Sequence, residues 1–294
     1  MKNKFVLFLS IVSTLFVLPS CEDVIEVDVF SDKDQLSIDA VITGKDTIQQ
    51  VRLLRSISYF DNSGQFPPVF ADSVYMTSNN GDSYLFELDP TTPGQYNYDP
   101  SSGTAFEVGK TYTMHIVIGN ERYEATSTMN RAAPIDSVSY AFLGTNPPGD
   151  PDSAYVFLNA KDLPGKKDFY WIRTFRNNEL KLGPGLINPV IDASGPGASS
   201  DGLPFIFPVA FLNVNDLGRP FVENDIIRIE ILGIDEPFFW FLNELGTQLA
   251  NGGLFATPPV NSRTNFISKG SSKSEVLGFF NVCAIEQYEV KLTK

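Results

Sequence analysis

The stretch 111-TYTMHIVIGNERYEATSTM-129 decides the fold class. Its first eight residues alternate: Tyr112, Met114, Ile116 and Ile118 fall on one side of an extended chain, and Thr111, Thr113, His115 and Val117 fall on the other. A period of two is the mark of a strand with one face in a core and one toward water. Gly119-Asn120 follows as a two-residue turn of the kind that tolerates positive φ, and a second alternating run covers 122–129. The pair reads as a β-hairpin.

Outward from that hairpin, short runs rich in Val, Ile, Thr, Tyr and Phe recur between clusters of Gly, Pro, Asn and Asp. Strands are expected at 24–29, 36–43, 48–56, 73–77, 84–88 and 94–98 before it. Further strands are expected at 135–140, 154–162, 169–175, 226–232 and 279–292 after it. Many short strands with turn residues between them indicate a sandwich and not a parallel sheet. Ala132-Ala133-Pro134 reads as a linker. The expected organisation is therefore a leader at 1–20, an immunoglobulin-like or transthyretin-like β-sandwich at 21–131, and a second β-rich domain at 132–294.

One amphipathic helix is expected near 236–250. Asp235 suits its cap and Pro237 its first turn, and Phe238, Phe241, Leu242, Leu245 and Leu249 make a stripe at helical spacing. Asn251-Gly252-Gly253 stops it.

The leader begins with Lys2 and Lys4, continues with an apolar run at 5–18, and closes on Leu18-Pro19-Ser20-Cys21. A spanning helix needs about 20 apolar residues, so this shorter run reads as an export signal. Its last four residues resemble a bacterial lipobox, which implies cleavage before Cys21 and a lipid on the Cys21 thiol. A single acyl chain holds a protein only marginally; two or three hold it firmly.

The chain carries 22 basic and 35 acidic residues, a formal charge of −13, and loss of Lys2 and Lys4 with the leader takes it to −15. Such a surface repels polyphosphate, so no nucleic-acid partner is expected. With Cys21 committed to lipid, Cys283 is the one remaining thiol, in an apolar run that suits a buried small hydrophobe.

The chemical inventory is thin. His115 is the single histidine, so any Ser-His-Asp or Cys-His arrangement would have to use it, and it sits mid-strand on the polar side of the hairpin. One His and one free Cys cannot supply a zinc site. No catalytic residue, metal site or cofactor is therefore assigned. Asn213, Asn215 and Asp216, or Asp150 and Asp152, offer oxygen atoms in loops without matching a calcium motif. The Gly-Pro-Gly triplets at 183–185 and 195–197 lack an amide donor at proline and are not phosphate loops. Aromatic residues in loops are the remaining lead: Tyr59, Phe60, Phe66 and Phe70 around Pro67-Pro68, and Phe205 with Phe207 at the end of a long Gly/Pro/Ser-rich segment. Exposed aromatic clusters mark binding surfaces.

Four elements together resemble a family of Bacteroidota outer-membrane lipoproteins catalogued as domain of unknown function 4249. They are 21-CEDVIEVD-28, the run at 36–44, Pro134-Ile135-Asp136-Ser137, and the helix followed by 258-PPVNS-262 and Gly278-Phe279-Phe280. The resemblance implies a surface-exposed lipoprotein that accompanies a TonB-dependent transporter, with a membrane contact through lipid alone. It also makes Asp-Ser and Asp-Thr tripeptides similar to the O-glycosylation sequence of that phylum, at Thr47, Ser73, Ser137 and Ser153. Two other readings stay open from the residues alone: a carboxylate-dependent hydrolase, and a structural or adhesion module.

Overall fold

A computed structural model describes residues 34–57, 61, 63–103, 105–144, 150–183, 185–193, 200–251, 260–270 and 275–294. The leader, Cys21, the expected strand at 24–29 and the loop aromatics Tyr59 and Phe60 lie outside these residues. The described residues are mainly β with two α-helices.

The N-terminal part contributes β1 (Leu36–Thr43), β2 (Gln49–Arg55), β3 (Ser73–Ser78), β4 (Ser83–Leu88), β5 (Gln95–Tyr98), β6 (Thr111–Ile118) and β7 (Glu121–Thr128). Next come β8 (Ile135–Phe142), β9 (Ser153–Ala160), β10 (Phe169–Arg176), β11 (Glu179–Leu180), β12 (Val190–Ile191) and helix α1 (Val209–Leu212). The C-terminal part holds β13 (Phe221–Val222), β14 (Ile226–Ile234), helix α2 (Glu236–Leu249), β15 (Ile267–Ser268) and β16 (Val276–Lys291).

One long hydrogen-bonded path runs β11-β10-β14-β16-β1-β2-β5-β4-β3-β6-β7-β15, with β12 attached to β10; a separate small sheet has the order β13-β9-β8. The path folds over on itself, so that β16, β1, β2 and β5 face β4, β3, β6 and β7 across a first core. The expected alternation is met there: Tyr112, Met114 and Ile116 are fully buried with Ile38, Ile42, Leu53 and Met76. Each such side chain contributes roughly 1.5–3 kcal/mol by leaving water. The hairpin turn is made by Gly119 at φ 57°.

A second core lies between the small sheet and one face of β10-β14-β16. Ile227, Ile229 and Ile231 of β14 meet Val156 and Leu158 of β9 there. The opposite face of β10-β14-β16 carries a third core under α2, built from Trp171, Leu232, Ile234, Phe279 and Cys283 against Phe238, Phe239 and Leu242. A strand covered on both faces must be apolar at almost every position, and β14 is buried at seven of its nine residues.

At residue 132 the chain leaves the first core for the second. The crossing is pinned: Asn130 pairs with Cys283 in a β-bridge, Arg131 donates to the Asp168 carboxylate through both Nε and Nη2, and Ala133 is buried in the second core. β16 serves both regions. Its first half pairs in parallel with β1 and its second half pairs antiparallel with β14. Residues 34–294 accordingly form one compact unit. Gly278 makes the β1 contact possible, because at φ 91° a Cβ there would stand 2.0 Å from the Ile38 carbonyl oxygen.

Candidate functional site

Helix α2 starts as its sequence dictates. The Asp235 carboxylate accepts from the Phe238 amide at 2.9 Å and from the Ser127 hydroxyl at 2.7 Å, so one side chain both caps the helix and ties it to β7. Burial raises the Asp235 carboxyl above the usual range, and the two hydrogen bonds oppose that shift. Held this way, α2 covers β10, β14 and β16 but stops short of β1.

The uncovered strip is a trough. A cavity of about 270 Å³ opens between α2 and β1, walled by Trp171, Phe238, Phe241 and Leu245, with Val41 and Asp39 on its floor. Its rings pack on one another: Phe238 and Phe241 stack at 5.7 Å, and Phe241 stands 5.2 Å from Phe279. A second cavity of about 320 Å³ adjoins it over β1 and β2, lined by Ser37, Asp39, Arg52, Leu54, Ser56 and Phe66. Ser37 and Asp39 belong to both. Asp39 is open to solvent on the floor of the trough, yet the walls remove part of its hydration. That desolvation raises its carboxyl, with Arg52 and Arg173 opposing. The trough thus has an aromatic chamber, a polar chamber, and a carboxylate where they join.

On the same sheet face, beyond the end of α2, lies a charge cluster. The buried Glu230 carboxylate pairs with Lys45 at 2.5 Å, Arg173 at 2.6 Å and Arg228 at 3.3 Å. Burial pushes Glu230 upward, but Arg173 and Lys45 outweigh it and hold the carboxyl below its ordinary value. Arg228 also lies 4.1 Å from the Phe175 ring, and Arg173 5.3 Å from the Trp171 ring.

The loop aromatics separate. Phe66 and Phe70 are exposed, and Phe66 lines the polar chamber. Phe205 is buried in the second core against Tyr170 at 5.7 Å, so it is closed to any ligand, while Phe207 is 70% exposed. The Phe205 amide donates to the Ala160 carbonyl, which holds that residue against the second core, and by Phe207 the chain has entered the turn that leads into α1. Phe207 joins Phe211, Phe157 and Tyr155 in an outer aromatic patch, with Phe211 5.2 Å from Phe157 and 5.3 Å from Tyr155.

Three of the loop side chains considered for calcium, Asn215, Asp216 and Asp152, are engaged in structural contacts. Asn215 pairs like a backbone unit with Val156, accepting from its amide at 3.0 Å and donating to its carbonyl at 2.8 Å. Asp216 binds Lys181 at 3.3 Å, and Asp152 pairs with Lys294. Among the described residues no group of three or more His, Cys, Asp or Glu side chains could hold a metal ion. His115 lies on the polar side of the hairpin, 3.1 Å from the Thr77 hydroxyl and stacked on Tyr75 at 4.6 Å. Cys283 is fully buried and burial pushes its thiol up to about 12. A third hollow, of about 620 Å³, is lined by Glu87, Asp89 and Asp99. Hydrogen bonds from Thr91 and Asn97 hold Asp89 down at about 2, and those from Ser101 lower Asp99, so neither can store a proton for acid catalysis at neutral pH.

Of the glycosylation candidates, Thr47 is exposed in a bend, Ser73 and Ser137 are half-buried at or within strands, and Ser153 is buried at the start of β9. The Ser137 hydroxyl accepts from Asn159 at 3.1 Å. Among the described residues no helix is long and apolar enough to cross a membrane.

Fold and site define a mainly β protein whose helix leaves an aromatic trough open beside a central strand. A family model described as a domain of unknown function, DUF4249, matches residues 22–289, and the chain belongs to that family. A search of curated proteins gives no match to it.

Proposed function

We propose that this chain is a lipid-anchored outer-membrane lipoprotein of the cell surface. In this reading it does its work by binding, not catalysis, as the accessory partner of a TonB-dependent nutrient transporter. The observation that carries it is the succession of a basic start, a short apolar run and Leu18-Pro19-Ser20-Cys21 directly ahead of the family-matched region. A body tethered by lipid at its first residue needs no membrane segment of its own. The acidic Glu22-Asp23 pair after the cysteine and the family resemblance favour the outer face of a Bacteroidota envelope. The trough supports a binding role because aromatic walls with one or two placed charges are the usual make-up of a ligand site.

The test has two parts. Mass spectrometry of the mature amino terminus is expected to find a thioether-linked diacylglycerol on Cys21; an unmodified cysteine there refutes the anchor. Mild-detergent purification from native membranes is expected to bring down an outer-membrane transporter in stoichiometric amount. Recovery of the lipidated protein alone would sink the accessory role while leaving the anchor standing.

A further inference from the structure

The two chambers of the trough differ in chemistry, and the charges where they meet are placed in register. Asp39 of β1 and Arg52 of β2 are directly opposite cross-strand partners. Both point away from the first core and both are exposed. Opposed acid and base on neighbouring strands normally close on each other, yet these head groups form no ion pair within 4.0 Å. A negative and a positive group therefore stand apart on the floor of one depression. On one side of Asp39 the floor runs into the cavity of about 270 Å³ walled by Trp171, Phe238 and Phe241. On the other side the cavity of about 320 Å³ continues toward Phe66.

We propose that this trough binds an amino-acid-type zwitterion with a large apolar side chain. The ligand's ammonium meets Asp39, its carboxylate meets Arg52, and its side chain enters the aromatic chamber. The chemistry is complementary at each point. An ammonium donates to a carboxylate, a guanidinium donates in a fork to a carboxylate, and ring faces receive an aromatic or branched side chain. The chain's acidic balance favours capture of the ammonium end, and Arg52 supplies the counter-charge that a carboxylate would otherwise lack. Ser37 and Ser56 line the polar chamber and offer hydroxyls to a following peptide unit. The same site thus has room for a short peptide beyond the first residue. The inference rests on reading the body as a binding module; it does not depend on the anchor or the transporter.

The experiment is calorimetric titration of the full chain in mild detergent with L-phenylalanine, Phe-Ala, N-acetyl-phenylalanine and phenylalaninamide. Binding of one of the first two is expected, and which of them binds more tightly separates a free amino acid from a peptide as the source. Loss of either ligand charge removes a charge-assisted hydrogen bond and is expected to weaken binding about tenfold or more. Asp39→Asn is expected to reproduce the loss seen on acetylation, with no further loss when the acetylated ligand meets the variant. Arg52→Gln is expected to do the same for the amide. Phe241→Ala weakens every ligand alike. Absence of binding by both zwitterions at millimolar concentration overturns the proposal. So does equal binding of the charged and blocked ligands by the unaltered chain. Neither outcome touches the mass at Cys21 or the transporter pulldown, so failure here is distinguishable from failure of the broader reading.

Discussion

Asp235→Ala tests whether one side chain seats the helix that walls the trough. The substitution removes the acceptor for the Phe238 amide, a cap whose loss costs about 1 kcal/mol, within a range of roughly 0.5–2. It also strips the acceptor from the Ser127 hydroxyl, a hydrogen bond between β7 and the helix start, for about 1 kcal/mol more. Ser127 still accepts from the Val282 amide at 3.1 Å, so its oxygen is not orphaned and the sum stays at about 2 kcal/mol. Asp235→Asn keeps an acceptor while removing a carboxyl that burial disfavours as an anion, and is expected to cost under about 1 kcal/mol at pH 7. The pH dependence follows from the raised folded value. The native state holds its proton to higher pH than the unfolded chain. Asp235 therefore contributes its full stability below the ordinary value of 3.8, and that stability is lost as pH rises through the folded value. The Asn variant should thus gain on the parent between pH 4 and neutrality. Both tryptophans report on this region, since Trp171 packs on Phe238 at 6.0 Å and Trp240 lies on α2. Urea unfolding followed by their fluorescence gives the free energies. An Ala variant within about 0.5 kcal/mol of the parent, or an Asn variant no better than Ala, would refute the reasoning.

Gly278→Ala is expected to cost more than about 3 kcal/mol, because positive φ and a 2.0 Å approach to the Ile38 oxygen coincide there. Gly119→Ala, at positive φ in open space, should cost only about 1 kcal/mol; thermal midpoints of the two variants check the contrast. Glu230→Gln leaves Lys45, Arg173 and Arg228 without their shared counter-charge, at a cost of about 3–5 kcal/mol. The Glu230 carboxyl lies below 4.5 in the folded chain, so its stabilisation is full above that pH and lost as pH falls through the folded value. Acid unfolding of the variant should accordingly be shallower than the parent's, and an unchanged slope would count against the cluster. Native protein is expected to resist maleimide at pH 8, since the Cys283 thiol is held near 12. After unfolding it should show one reactive thiol per chain if the Cys21 sulfur carries lipid, and two if it does not.

Most of the strand order in sequence was legible, because each element announces itself locally. The alternation over 111–118, the turn at Gly119-Asn120 and the Asp235-Pro237 helix start depend only on neighbours a few residues away, and all three stand in the structure. What was not legible is pairing at a distance. Asp39 sits in 36-LSIDAVIT-43, where it reads as an ordinary outward residue of an alternating strand. It becomes part of a trough only because β1 pairs with β16, which sets Asp39 beside Phe279 across 240 positions. The helical stripe was visible, but not that the helix ends over β16 and leaves β1 bare. Phe205 and Phe207 look equivalent in sequence; the chain turns at Phe207 on its way into α1, so one ring lies in the second core and the other in water. The short pieces β11, β12, β13, β15 and α1 went unread because two to four residues carry no periodicity.

The position of the trough in the chain ties it to the proposed anchor. Ser37 lies 16 residues beyond Cys21, and a chain of that length spans at most about 55 Å when fully extended. A ligand held over β1 is therefore never farther than this from a lipid on Cys21, which keeps it within reach of a partner in the same membrane. If that short reach serves delivery, lengthening it should affect delivery and not binding. Insertion of a 20-residue Gly/Ser segment between Lys33 and Asp34 would more than double the tether. Effective concentration at a neighbouring receptor falls roughly as the −3/2 power of tether length, here about threefold. Ligand affinity of the purified variant should match the parent's, while transporter recovery from native membranes should drop. Equal recovery would mean that the partner is held by the body itself and that the tether length is immaterial.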